Sequence, residues 1–257
     1  MDLGLRNKVA IVTGASRGIG RAIAEVLAAE GAKLMLAARD EAALVALAAS
    51  LQTESLAFAA DLRAAEAPPR LIAATVERFG RIDLLVNNAG ATTRGDFLQL
   101  TDDDWRDGFA LKLDATVRSC RAAWPHLVAT RGAIVNVVGI GGRTGSAEFT
   151  IGGAVNAALL NLTKALADRG VPDGVRVNAV NPSAIGTERL RTRVRRLASE
   201  RQLDEAEAER QLAHDLRIAR IGDPVEVARA VAFLGSSAAS YCQGTILDID
   251  GGQTRTL

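Results

Sequence analysis

Thr13-Gly14-Ala15-Ser16-Arg17-Gly18-Ile19-Gly20 decides the fold of this chain. Ahead of it runs Val9-Ala10-Ile11-Val12, apolar throughout, as a buried parallel strand is; after it Ile23, Val26 and Leu27 recur at helical spacing. A glycine-rich turn between a strand and a helix is the setting that gives such a pattern meaning as a dinucleotide cradle. Gly14 makes the tight turn, Gly18 admits the backbone to a pyrophosphate, and Gly20 lets the helix pack close to the strand. Ser16, Arg17 and Ile19 complete the turn at a helix N-terminus, whose unpaired N–H groups suit an anion. Three glycines around a basic residue favour this reading over a βα turn that binds nothing.

Outward from that turn, apolar runs alternate with helical patterns. Strands are expected at 33–38, 56–59, 82–86, 132–138, 175–180 and 244–249. Asp40 is placed to cap a helix reaching about Thr53, and another is expected over 64–79, beginning around Pro68-Pro69. Thr101 to about Thr130 reads as one long helix, bent near Pro125, and a further helix is expected over 153–169. Pro224 opens the last one, at a position where proline is tolerated. Repeated βα units without a linker predict one α/β domain over 1–257, a doubly wound parallel sheet with helices on both faces. Ligands of such sheets lie beyond the carboxyl ends of the strands.

Composition narrows the function classes. Of 257 residues 48% are hydrophobic and 24% charged, with a net charge of +1, so no global field attracts nucleic acid or a membrane surface. Cys120 and Cys242 suggest no disulfide framework, and His126 and His214 have no partners at metal-ligand spacing. No run reaches membrane-spanning length and the N-terminus lacks an apolar signal region, so a cytoplasmic location is expected.

The chain resembles the short-chain dehydrogenase/reductase family over essentially its whole length. The turn at 13–20, Asp61-Leu62, Asn87-Asn88-Ala89-Gly90, Asn178-Ala179-Val180-Asn181-Pro182, the run 222–228 and Asp250-Gly251-Gly252 carry the likeness. It implies that Asp61 and Leu62 lie at the adenine, that Asn88, Ala89 and Gly90 lie beside the cofactor, and that Thr187 faces the nicotinamide amide. It also implies a small-molecule substrate and a homodimer or homotetramer. The cofactor type follows from charge. An acid at the end of the second strand would select NAD, but Ala37-Ala38-Arg39 stands there. Arg39 and Arg17 suit a 2′-phosphate instead, so NADP(H) is expected.

The family's proton chemistry uses an Asn, a Ser and a Tyr and Lys spaced by four. In the alignment by resemblance those places hold Lys112, Gly139, Gly152 and Asn156, and the one tyrosine is Tyr241. Lys112, from the neighbouring helix, is expected either to take over the missing lysine's place or to be solvated or at a helix interface. Asn156 is expected to bond the ribose or simply to pack. Gly139, Gly141, Gly142, Gly145, Gly152 and Gly153 are expected to enlarge the pocket, with Gly152-Gly153 in a helix's first turn. Glu148, Thr144 and Thr150 are the nearby polar groups, Glu148 being the one able to act as an acid.

Residues 188–218 form a charged helical excursion that is expected to act as a substrate lid. Leu190, Val194 and Leu197 make its apolar stripe, and Arg189, Arg191, Arg193, Arg195 and Arg196 oppose Asp204, Glu205, Glu207 and Glu209. Recognition of an acidic substrate is one reading of these residues; mutual pairing of the two charge blocks, which nearly cancel, is the favoured one. Three functions are consistent with this pattern. The first is hydride transfer involving a carbonyl, hydroxyl or conjugated alkene at a non-standard site. The others are a catalytically silent nucleotide-binding subunit or sensor, and a non-redox lyase or isomerase.

Overall fold

The structure, a computed structural model, describes residues 2–255. Seven strands form one sheet: β1 (Val9–Thr13), β2 (Lys33–Ala38), β3 (Ser55–Ala59), β4 (Leu84–Asn87), β5 (Ala133–Val137), β6 (Arg176–Pro182) and β7 (Ile246–Ile249). Their order is β3-β2-β1-β4-β5-β6-β7, and every neighbouring pair is parallel. Val12 stands between Leu36 and Val86 in register, and all of β1 is buried, as its apolar run requires.

The first three helices are α1 (Gly18–Ala29), α2 (Glu41–Ser50) and α3 (Ala67–Phe79). Asp40 caps α2, its carboxylate accepting the Ala43 amide at 3.0 Å. The helix expected over 64–79 begins later, at Ala67, because the prolines occupy its first turn, where no amide donor is needed. The helix expected to run unbroken from Thr101 is divided. It comprises α4 (Asp102–Phe109), a π turn (Ala110–Asp114) and α5 (Ala115–Thr130), with Pro125 inside α5. Thr101 and Asp104 form a reciprocal capping box at the start of α4.

The next helix is longer than expected. α6 spans Thr150–Asp173 and stops at Gly174, whose φ of +71° closes it with a left-handed residue. Gly152 and Gly153 do fall in its first turn. The excursion is two helices, α7 (Glu188–Arg201) and α8 (Glu205–Asp215), and α9 (Pro224–Gly235) is capped by Asp223 with Glu226. β7 starts at Ile246 rather than Gly244, where a φ of +68° is incompatible with a strand.

Apolar stripes of α1, α2 and α9 cover one face of the sheet, where Ile23, Leu27, Leu44, Val227 and Val231 are buried. The other face is covered by α3, α5 and part of α6, through Leu71, Ile72, Ala123, Leu127 and Ala167. Val194 and Ala198 of α7 and Ala208 and Leu212 of α8 bury one another in a small core of their own. Among the described residues no helix is long and apolar enough to cross a membrane. The strand order reverses direction between β1 and β4, so the connections leaving their carboxyl ends part to opposite faces and open a crevice there.

Candidate functional site

At that crevice the glycine turn is fixed from both sides. The Gly14 amide donates to Ala37 O at 2.7 Å, tying the turn to β2. Asn88, just past β4, donates from Nδ2 to Thr13 O at 2.9 Å and to Gly14 O at 3.3 Å. Thr13 Oγ1 accepts the amides of Asn88 at 2.9 Å and Ala89 at 3.0 Å. Gly14 and Gly18 have φ values of +68° and +58°, which glycine adopts without strain. A Cβ on Gly20 would lie 2.2 Å from Gly14 O, so only glycine lets α1 approach the strand this closely.

The turn fits the pyrophosphate of a dinucleotide on its own geometry. Arg17 is the N-cap of α1 and caps nothing with its side chain, so the first-turn amides of Gly18, Ile19 and Gly20 face outward from the helix. Ser16 and Arg17 lie at the mouth, and Thr187, the N-cap of α7, stands over Gly18, its Cγ2 3.2 Å from where a Cβ would be. Arg39 is exposed just beyond β2, and Asp40 beside it is committed to capping α2. Asp61 lies past β3. Burial works against its ionisation, but bonding and charge from Arg63, with Arg39 adding its charge, hold the carboxyl below the usual range. Leu62 gives its side chain to the core, leaving Asp61 as the polar side chain of the pair.

The π turn aims Lys112 inward. Such turns add one residue to a helical turn and recur at functional sites. The Lys112 stem crosses Gly90, with Cδ 3.0 Å from where a Cβ on that glycine would be, so a side chain at position 90 would displace it. Lys112 Nζ donates to Asn156 Oδ1 at 2.5 Å and to Val138 O at 2.6 Å. Asn156, buried on α6, donates in turn to Gly139 O at 3.2 Å. Gly139, at a φ of +125°, sends its amide to Asn181 Oδ1 at 3.0 Å. Both acceptors of Lys112 are uncharged. Burial, and then the charge of Arg189, lower its pKa from 10.5 to about 7. The structure therefore joins Lys112 and Asn156, which lie on different helices, in one hydrogen-bonded pair.

Gly141, Gly142 and Gly152 do not enlarge the pocket as expected, whereas a Cβ on Gly145 would meet open space. The space a side chain on Gly152 would enter holds the Phe149 ring, within 2.1–2.6 Å of a Cβ there. A Cβ on Gly141 would also meet Phe149, and one on Gly142 would meet the backbone of α6. These glycines let the loop close onto α6. Tyr241, the one tyrosine, is fully exposed ahead of β7, at the opposite end of the sheet. Thr150 begins α6 with a buried hydroxyl that has no hydrogen-bond partner among the described residues.

Two features of the site went unread in sequence. Arg94 lies over the Phe149 ring at 4.4 Å, and nothing in the polar run Thr92-Thr93-Arg94-Gly95 distinguishes it. Asn87 and Asn136 bond across β4 and β5 at 2.9 Å, and Asn136 continues to Thr163 Oγ1 at 2.9 Å. A lone asparagine within the apolar run 133–138 is the signal for that ladder, since a buried amide needs a partner.

Comparison with known proteins agrees with this geometry. Residues 14–254 match the family described as enoyl-(acyl carrier protein) reductase. Meso-2,3-butanediol dehydrogenase of Serratia marcescens is 36% identical over 255 residues, covering 96% of this chain and 95% of that protein. The L-sorbose reductase of Gluconobacter frateurii, solved with NADPH and L-sorbose, superposes with a TM-score of 0.94 at 32% identity over the full length of both chains. A short-chain oxidoreductase of Pseudomonas aeruginosa, described as containing an atypical catalytic center, superposes with a TM-score of 0.92 at 32% identity, again over both full lengths.

Proposed function

This chain belongs to the short-chain dehydrogenase/reductase family, and on that premise we propose that it is an NADP(H)-dependent reductase of small carbonyl compounds. Lys112 takes the proton role. The observation that carries this reading is the bond from Lys112 Nζ to Asn156 Oδ1 at 2.5 Å, beside the loop at 88–90. The relative from Pseudomonas aeruginosa with its atypical centre makes a departure from the usual residues consistent with chemistry.

Gly14, Ser16, Arg17, Gly18, Ile19 and Gly20 would hold the pyrophosphate and ribose, and Arg17 with Arg39 the 2′-phosphate. Asp61 and Leu62 would sit at the adenine, and Asn88, Ala89, Gly90 and Thr187 along the nicotinamide half. Bound there, the cofactor would supply the hydride for the carbonyl carbon. Lys112, with a pKa of about 7, holds a proton that it can give up near neutrality. It would donate that proton to the oxygen on which negative charge develops. Asn156 and Val138 O fix the ammonium in place, since each accepts one of its three N–H bonds.

Titration with NADPH and NADH, followed by carbonyl and enone panels monitored for cofactor oxidation, tests this reading. NADPH is expected to bind at least tenfold more tightly than NADH and to be oxidised by a carbonyl. Binding without oxidation of any compound would favour the silent subunit. Oxidation of the enones alone would move the chemistry to the conjugated alkene, and binding of neither nucleotide would overturn the proposal. Arg39→Ala is expected to weaken NADPH by about 10- to 100-fold, the scale of one charge-assisted hydrogen bond, and to leave NADH unchanged, whereas Arg17→Ala is expected to weaken NADPH by at least as much and NADH less. Fluorescence titration reads both.

A further inference from the structure

The excursion α7–α8 carries charge that its own pairing does not use. Arg195 pairs with Glu188, Arg196 with Glu200 at 2.9 Å, Arg201 with Asp215 at 3.2 Å, and Arg210 with Glu207. Arg189 and Arg193, one helical turn apart on α7, have no carboxylate within 4 Å among the described residues. Arg189 instead donates to Gly90 O at 3.2 Å, beside the stem of Lys112. Arg193 lines a cleft of about 170 Å³ together with Glu148 and Leu197, and the other charged residues of its lining are paired with each other, Arg196 with Glu200 and Arg201 with Asp215. Arg94, stacked on Phe149, lies near enough to feel the charges of Arg193, Glu148 and Arg189, and its loop is tied to Glu148 by the Gly95 amide, which donates to Glu148 O at 3.2 Å. Three guanidinium groups thus gather with Glu148 as the one carboxylate among them not paired elsewhere, and Arg189 links the group to the Lys112 stem at Gly90.

We propose that Arg94, Arg189 and Arg193 form a subsite for an anionic group on the substrate, so that the carbonyl compound reduced is a small oxo acid or a phosphorylated ketone. This rests on the reductase reading above. Like charges gathered with too few counter-ions repel one another, and an anion relieves that repulsion while accepting forked N–H bonds from the guanidinium groups. The same strain is visible on the arginines. Burial, with the charges of Arg193 and Arg189 beyond it, lowers the pKa of Arg94 despite Glu148, and burial with the charge of Arg17 lowers that of Arg189. Within the subsite Arg189 bonds Gly90 O beside the Lys112 stem, which sets the anionic group beside the carbonyl that Lys112 would protonate.

Calorimetric titration of the NADP⁺-saturated protein with 4-oxopentanoate, its methyl ester and dihydroxyacetone phosphate tests the subsite. At least one anion is expected to bind tenfold or more tightly than the ester, and the better of the two identifies a carboxylate or a phosphate site. Arg193→Gln and Arg94→Gln are each expected to weaken that anion by about 10- to 100-fold and to leave the ester and NADP⁺ unchanged. Arg210→Gln, on the far side of α8, serves as the control that moves nothing. Equal binding of acid and ester, no binding by any of the three, or anion affinity untouched by both variants would overturn the subsite. The reductase reading is judged apart from this. It fails if NADP⁺ does not bind, and the same anion titrations on the nucleotide-free protein then still decide the subsite.

Discussion

Lys112→Met is expected to lower kcat/KM for carbonyl reduction by about 10²- to 10⁴-fold, the range for losing a positioned acid or base. Methionine keeps the length of the stem that crosses Gly90, so the loop at 88–90 has no cause to move. What is lost is the donor at Val138 O and Asn156 Oδ1. The pH profile separates chemistry from packing. With a folded pKa of about 7, wild-type reduction declines tenfold per pH unit above neutrality, because the protonated fraction declines. In the oxidation direction, where the neutral amine must accept a proton, the limb is reversed. Lys112→Arg retains the charge, but a guanidinium does not release its proton in this range. It should therefore be slow and flat with pH. A Lys112→Met enzyme with wild-type kcat/KM and an intact limb near pH 7 would remove Lys112 from the chemistry.

Stability gives a second measurement of the same residue, one that needs no substrate. The unfolded lysine titrates at 10.5 and the folded one at about 7. Between those values the unfolded chain binds more protons, so the Lys112 contribution to stability rises with pH across that window. It is flat below pH 7, where both states are charged, and reaches its maximum above 10.5, where both are neutral. Thermal unfolding from pH 7 to 9 should therefore show Tm rising in the wild type relative to Lys112→Met. Parallel Tm curves would mean that burial and Arg189 do not depress the lysine.

How much of this was legible in sequence depends on the range of the interaction involved. The turn at 13–20 was readable because its geometry is local. Three glycines, a preceding apolar strand and a following helical stripe all act within about twenty residues of one another. The helix boundaries at Asp40, Thr101 and Pro224 were readable for the same reason, since a cap acts within one turn. The π turn was not readable. It shifts the phase of Ala110–Asp114 by one residue in a segment already mixed in polarity, so the apolar period there carries no warning. Candidate positions 112 and 156 could be named by resemblance, but their meeting depends on that phase. Phe149 is a harder case. A glycine at 152 signals either open space or close approach, and only the path of the Ser146–Phe149 turn decides for close approach. The arginines of α7 were misread as a block because pairing is chosen residue by residue. Arg195 and Arg196 find acids on their own helix, whereas Arg189 turns to Gly90 O and Arg193 lines the cleft with Glu148.

Gly20→Ala is expected to abolish nucleotide binding, by more than a hundredfold, and to destabilise the fold by about 1–3 kcal/mol, as overpacking does. Two effects of opposite sign compete. Alanine is favoured over glycine inside a helix by about 1 kcal/mol, which would stabilise α1. Against that, the new methyl would lie 2.2 Å from Gly14 O, 2.8 Å from Gly14 C and 2.4 Å from Asn88 Nδ2. Two of those atoms are backbone and no rotamer change relieves them, so α1 must withdraw from β1. Withdrawal breaks the Asn88 bonds to Thr13 O and Gly14 O, which join the two strands at the switch point. The first-turn amides of α1 move with the helix, and with them the N–H groups that would face the pyrophosphate. Gly80→Ala is the control for backbone strain without a clash. Gly80, unlike the helical Gly20, has a positive φ, +74°, but nothing lies within 4 Å of a Cβ there. It should cost about 1 kcal/mol of backbone strain and leave NADPH affinity unchanged. Equilibrium unfolding and NADPH titration of both variants compare the two effects. If Gly20→Ala binds NADPH as the wild type does, the turn at 13–20 does not hold the nucleotide.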